Sequence, residues 1–300
     1  MPIREKLGRE TLFSFEFFPP KTAAGVRSLM RSIHKLETFS PSFVSVTMGA
    51  GGTDLQQKRT RDTVMRIHKE TSLTIMPHLT AIGKRKEEVR SELDAFAAQG
   101  VTNIFALRGD YPAGDNGQAI RERTELHYAN ELVAFIREHY GDHFSIGVAG
   151  YPEGHPETPS KLQDLYNLKR KIDAGAEFII TQLFFDNREF FDFRDRCQLI
   201  GIDVPIIAGI MPILSRQGIL RMCDLCGARI PASLLRQIFD ASDDDVAQIG
   251  IEWAYRQCEE LLREEVAGLH FYTLNKSKAT CKIFTRLRQN KACSCNGECE

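Results

Sequence analysis

One acid stands inside an otherwise apolar run: Glu16, in Leu12-Phe13-Ser14-Phe15-Glu16-Phe17-Phe18, closed by Pro19-Pro20. A strand of this composition is covered on both faces. An ionised carboxylate is costly to bury, so Glu16 must be paired, neutralised or used. Apolar surroundings favour the protonated form, which makes Glu16 a candidate general acid near neutral pH; partnership with a buried arginine is the structural alternative. Further polar side chains punctuate later apolar runs: Thr47, His78, Arg108-Gly109-Asp110, Tyr151, His155, and Gln182 with Asp186. Each has a plainer reading. Thr47 is a common β-former, His78 suits a hydrogen-bonded core, and Arg108-Gly109-Asp110 suits a turn. Gln182, between Ile179-Ile180-Thr181 and Leu183-Phe184-Phe185, needs hydrogen-bond partners that a ligand could supply. A cation, a permissive backbone and an anion at positions 108 to 110 also suit a polar heterocycle carrying phosphate.

Other chemistries lose support. The run Met48-Gly49-Ala50-Gly51-Gly52-Thr53-Asp54 resembles a dinucleotide fingerprint but puts Asp54 where the last glycine must allow close helix packing. There is no Gly-Lys-Ser/Thr phosphate loop, no His-Glu-x-x-His and no Gly-x-Ser-x-Gly elbow. With 39 Lys and Arg against 40 Asp and Glu, the chain offers no long-range attraction to nucleic acid or anionic membranes. No secretory apolar segment opens it and no run approaches the roughly 20 apolar residues of a membrane span, so a cytoplasmic protein is expected. Eight cysteines over 300 residues read as reduced thiols rather than a disulfide scaffold. A soft-metal site built on Cys293-x-Cys295-x3-Cys299, with Cys281 or Cys223-x2-Cys226, is a rival reading, but the spacing matches no strong zinc pattern and no metal is expected.

The elements that must position these groups alternate regularly. β-Branched and aromatic runs predict strands at 12–18, 43–47, 73–79, 103–108, 144–150, 178–183, 204–210 and 269–272. Amphipathic spacing predicts helices at 87–99, 125–139, 161–174 and 243–264, with extra helices between the seventh and eighth strands from Gly218 onward. Gly100 and Gly175 suit left-handed helix ends, and Asp54 and Ser160 suit N-caps. Eight βα units in a chain near the ~250-residue norm predict a closed (β/α)8 TIM barrel rather than an open sheet. No linker divides it, so residues 1–290 read as one catalytic barrel and 291–300 as a frayed tail. In this fold catalytic groups gather at the carboxyl ends of the strands, and the polar residues above fall there.

Taken in order, these motifs resemble the short bacterial type of the methylenetetrahydrofolate reductase family. The resemblance is carried by Phe15-Glu16-Phe17-Phe18-Pro19-Pro20-Lys21, Val46-Thr47-Met48-Gly49-Ala50, His78-Leu79-Thr80, Leu107-Arg108-Gly109-Asp110, Tyr151-Pro152-Glu153-Gly154-His155-Pro156, Asn167-Leu168-Lys169-Arg170-Lys171, Thr181-Gln182 and His270-Phe271-Tyr272-Thr273-Leu274-Asn275. Any one tetrapeptide is weak, but the ordered set is specific and leaves out only the tail from about Gln289.

The resemblance implies an FAD-dependent barrel enzyme that passes hydride from NADH (or NADPH) to 5,10-methylenetetrahydrofolate, giving 5-methyltetrahydrofolate for methionine synthesis. Its implied flavin contacts are Thr47, Ala50, His78, Arg108, Gly109, Asp110, Tyr128, Ala129, Tyr151, His155, Asp164, Asn167, Arg170 and Lys171. Asn167 shares a helix face with Arg170 and Lys171, a suitable grip for pyrophosphate. By the same resemblance Glu16 and Asp110 are catalytic: Glu16 protonates the folate, and Asp110 favours the resulting cation. Gln182, Gln217, Tyr272 and Lys276 are implied substrate contacts. Lys276 stands where relatives commonly carry arginine, Met48 where a tyrosine is frequent, and Leu183 where a phenylalanine is. Alternating use of one flavin face predicts ping-pong kinetics. A homo-oligomer is expected and a regulatory extension is not. The alternatives are another flavin-dependent barrel oxidoreductase, such as a proline dehydrogenase-like enzyme, and a non-catalytic flavin- or folate-binding module.

Overall fold

The computed structural model describes residues 1–48, 54–111 and 115–296. Eight parallel strands close on themselves in sequence order: β1 (Leu12–Phe17), β2 (Phe43–Val46), β3 (Ile75–Thr80), β4 (Asn103–Leu107), β5 (Ser145–Gly150), β6 (Phe178–Thr181), β7 (Ile206–Ile210) and β8 (Gly268–Tyr272). Around them lie α1 (Ala23–Glu37), α2 (Asp54–Glu70), α3 (Lys86–Ala98), α4 (Asp115–Arg123), α5 (Ala129–Tyr140), α6 (Lys161–Asp173), α7 (Asn187–Leu199), α8 (Arg216–Cys226), α9 (Ala232–Phe239), α10 (Asp243–Arg263) and α11 (Ser277–Asn296). The (β/α)8 expectation holds, and the three helices α8, α9 and α10 fill the interval before β8.

Strands buried on both faces explain the near-continuous apolar runs. On β1, Phe15 and Phe17 face outward; Phe15 meets Phe271 and Phe284 edge-on or tilted, with ring centroids 6.1 and 5.3 Å away. The alternate residues of β1 face the barrel axis, where Leu12 packs with Phe43, Met76, Phe105, Phe178, Ile180 and Ile207. A 3-10 turn at Ile3–Glu5 caps the amino end of that inner core: Ile3 is fully buried, and its N–H donates to Asn103 Oδ1 at 2.6 Å. Among the described residues the amino end is thus plugged, and the cavity described below lies at the carboxyl end.

Local signals set most boundaries. Ser160 caps α6 by accepting from Gln163 N, and Gly100 and Gly175 carry φ of +77° and +111° just beyond α3 and α6, as expected. Asp54 begins α2, and its side chain lies outside the described residues. The helix expected from Glu125 starts instead at Ala129, because the Glu131 carboxylate accepts the N–H groups of His127 (2.6 Å) and Tyr128 (3.3 Å) and so fixes the entry there. α11 runs on to Asn296, so much of the segment read as a frayed tail continues a helix. The described cysteines, Cys197, Cys223, Cys226, Cys258 and Cys281, are free thiols.

Candidate functional site

The carboxyl ends of the strands enclose a cavity of about 930 Å³, toward the upper end of the usual small-molecule range. Its floor is built by alternation along strands. Ser14 and Glu16 share the inner face of β1, and His270 and Tyr272 the inner face of β8; β-pairing sets Ser14 beside His270 and Glu16 beside Tyr272. His78 comes from β3. The Glu16 Oε2 atom then lies 3.3 Å from His78 Nε2 and 3.5 Å from His270 Nε2. Behind it, Ser14 Oγ is 2.7 Å from His270 Nδ1 and Ser45 Oγ 3.5 Å from Nε2. The next turn clamps the end of β1: Thr273 Oγ1 donates to Glu16 O at 2.6 Å, and Asn275 exchanges two hydrogen bonds with the Phe18 backbone.

This geometry corrects the expectation that greasy surroundings keep Glu16 protonated. Burial is the largest single influence and does raise the carboxyl pKa, but the polar contacts with the His270 and His78 rings together outweigh it and hold Glu16 at about 2. The ring partners come from strands remote in sequence, so the local run could not reveal them. Glu16 is therefore an ionised carboxylate between two imidazoles.

Above the floor, Tyr272 lies across the barrel with its hydroxyl donating to Thr181 O at 2.6 Å. That placement requires glycine at 209, where a Cβ would collide with both the Tyr272 ring and the Thr181 carbonyl. Gln182 Oε1 accepts the neighbouring Leu183 N–H at 2.9 Å, so half of its amide is satisfied locally. At the end of β4, Gly109 takes φ +91° against Ile82, a conformation and a contact that a side chain would strain. The turn aims Arg108 at the cavity and leaves Asp110 mostly in water, 4.0 Å from the Arg108 guanidinium.

The opposite wall comes from β5, its following loop and α6. Lys171 Nζ donates to Ala149 O at 2.6 Å and faces Asp164; desolvation pulls the ammonium down to about 8, with the Asp164 charge opposing. Desolvation likewise raises the Asp164 carboxyl above its usual range and lowers His155, which stacks edge-on to Tyr151 at 4.6 Å. Asn167 and Arg170 line the same wall.

Thr47, His78, Arg108, Gly109, Asp110, Tyr128, Ala129, Tyr151, His155, Asp164, Asn167, Arg170, Lys171, Gln182 and Tyr272 all line the cavity with Glu16. Ala50 lies outside the described residues. Gln217 and Lys276 do not line it: both are exposed, Gln217 in the first turn of α8 and Lys276 beyond β8. Sequence reasoning overlooked Glu157, whose carboxylate sits 2.7 Å from Arg108 Nη2, and the role of His270. His270 had a signal, since it stands two residues before Tyr272 and so on the same strand face. Glu157 had none, because loop residues follow no period.

The donor set fits a large anionic cofactor. Arg108 Nη2 and His78 Nε2 are buried and meet only carboxylates among the described residues, Glu157 at 2.7 Å and Glu16 at 3.3 Å, neither in aligned hydrogen-bond geometry. An acceptor-rich ligand would satisfy both. Among the described residues no group of three or more His, Cys, Asp or Glu side chains could hold a metal ion.

A parallel barrel closed at its amino end, with a polar cavity over a buried carboxylate at the other, has the layout of (β/α)8 enzymes, whose active sites sit at that end. The family is narrower still. The family profile described as methylenetetrahydrofolate reductase matches residues 3–288, and the chain belongs to that family. The chain is 42% identical over 273 residues to 5,10-methylenetetrahydrofolate reductase of Escherichia coli (strain K12), covering 90% of this chain and 88% of the relative. It is 39% identical over 289 residues to methylenetetrahydrofolate reductase (NADH) 1 of Arabidopsis thaliana, covering 93% of this chain and 48% of the relative. The chain thus spans about half the length of that plant relative. A Clostridium thermocellum protein that binds two copies of 5-methyl-5,6,7,8-tetrahydrofolic acid superposes with a TM-score of 0.63 at 13% identity, over 96% of this chain and 99% of that one. This last likeness is one of fold. Among the described residues no helix is long and apolar enough to cross a membrane.

Proposed function

We propose that the chain is a flavin-dependent oxidoreductase that reduces 5,10-methylenetetrahydrofolate to 5-methyltetrahydrofolate, with FAD in the cavity and NADH or NADPH as reductant, and so supplies methyl groups for methionine synthesis. The observation that carries this reading is the meeting, in one cavity of a chain of this family, of a histidine-paired carboxylate with a wall of cations and amides. FAD, when bound, would supply the hydride transfer. The chain's own residues hold and protonate. Arg108, Asn167, Arg170 and Lys171 suit the pyrophosphate and its flanks. Met48, Phe105, Ile180 and Leu183 line the same cavity and exclude water from the reacting face. Gln182 and Tyr272 orient the substrate, and Glu16 carries a proton to a folate nitrogen, opening the methylene bridge to a cation that Asp110 favours from the rim. One cavity serving both substrates in turn gives ping-pong kinetics. A cytoplasmic homo-oligomer belongs to the same proposal.

The test is direct. Purified protein loaded with FAD is bleached anaerobically by NADH, then offered methylenetetrahydrofolate, and the return of flavin absorbance is followed. Reoxidation with formation of methyltetrahydrofolate is expected. Bleaching with no response to the folate would overturn the proposal.

A further inference from the structure

His270 is 1% exposed and does not line the cavity, so no ligand in the cavity touches it. It nevertheless reaches the site, because its Nε2 is 3.5 Å from the Glu16 carboxylate while its Nδ1 is held 2.7 Å from Ser14 Oγ. The surrounding groups are few. Glu16 and Ser14 face it from β1, Ser45 from β2, and Tyr272 from its own strand; the Phe43 ring stacks on it at 6.0 Å, and His78 meets the same Glu16 oxygen from β3. The buried imidazole is thus held at Nδ1 by Ser14, while its Nε2 faces the Glu16 carboxylate and the Ser45 hydroxyl at the same 3.5 Å, and Glu16 is the one of these groups that opens on the cavity.

We propose that His270 is a positioning residue that stores the proton Glu16 delivers. This rests on the reading of the site given above and deepens it. In the step, His270 Nε2 gives its proton to Glu16 Oε2, and the carboxyl hands a proton on to the substrate nitrogen. The imidazole ends neutral, the carboxylate keeps its charge, and the substrate gains one positive charge. Ser14 holds the ring throughout, since a hydroxyl can accept from a protonated Nδ1 or donate to a bare one. After product leaves, Glu16, still partly open to the cavity, returns a proton from solvent. Ionised Glu16 is then no obstacle to acid catalysis, because the acid is the pair.

The experiment separates the two half-reactions in FAD-loaded enzyme for His270→Gln and the milder Ser14→Ala. Flavin bleaching by NADH should stay within about twofold of wild type in both. Reoxidation by methylenetetrahydrofolate should fall by about 100-fold or more in His270→Gln and by several-fold in Ser14→Ala, the scale of a general acid deprived of its proton. Wild-type reoxidation should slow as the pH rises, and this dependence should be lost in His270→Gln. Equal slowing of both half-reactions, or reoxidation at the wild-type rate with an unchanged pH profile, would overturn the inference. Ring 15N spectra provide a readout free of any substrate: the His270 Nε2 signal should move on Glu16→Gln, which removes the carboxylate 3.5 Å away. An unchanged His270 signal there refutes the proton store whatever the substrate proves to be, whereas a wild-type enzyme deaf to methylenetetrahydrofolate refutes only the proposed activity.

Discussion

Replacing Glu16 by glutamine keeps the side-chain shape and removes the charge between two histidines. The carboxyl is held at about 2 in the fold against 4.5 for an unperturbed group. At ~1.36 kcal/mol per pKa unit, the ionised form stabilises the fold by about 3 kcal/mol at neutral pH. Because the folded value is the lower one, this stability is present above the unfolded value and lost as pH falls toward 2. Linkage puts the loss at about 0.8 kcal/mol by pH 4 and about 2 kcal/mol by pH 3. Urea unfolding of wild type and Glu16→Gln at each pH from 7 to 3 reads this out. The variant should be less stable at pH 7, and the gap should close as the pH drops. Two proteins that lose stability in parallel across this range would show that the histidines do not hold Glu16 ionised.

Three further outcomes are expected. Lys171 loses its charge as pH rises through about 8, so FAD affinity, followed by flavin fluorescence, should weaken above that pH in wild type and show no such step in Lys171→Met. Gly109→Ala forces a side chain into a φ of +91° and against Ile82; it should cost about 1–3 kcal/mol in thermal unfolding and weaken flavin binding as Arg108 shifts. Lys84 is 1% exposed and pairs with Glu92 at 2.5 Å. Lys84→Met alone should destabilise by about 3 kcal/mol in urea, and the double change with Glu92→Leu should recover most of that, since the harm lies in an uncompensated carboxylate.

Sequence periodicity alone determined the architecture. Eight apolar runs, each followed by an amphipathic stretch, can bury both strand faces only in a parallel sheet under helices, and every predicted strand overlaps an observed one. Glycine at 100 and 175 and serine at 160 also acted locally, through φ and a single hydroxyl. The ring of polar residues at the strand ends was legible for the same reason: position along a strand maps onto depth in the barrel. Tertiary structure decided what those residues are to one another. Whether Glu16 is neutral or ionised depends on His78 and His270, which only barrel closure brings within 3.5 Å. The pairing of Arg108 with Glu157 and the place of Lys276 outside the cavity wall rest on loops, where neither period 2 nor period 3.6 applies, and Gln217 is turned away by how the first turn of α8 sits on the barrel. Charge state is a property of the assembled neighbourhood, since Coulomb and desolvation energies depend on distance in space and not along the chain.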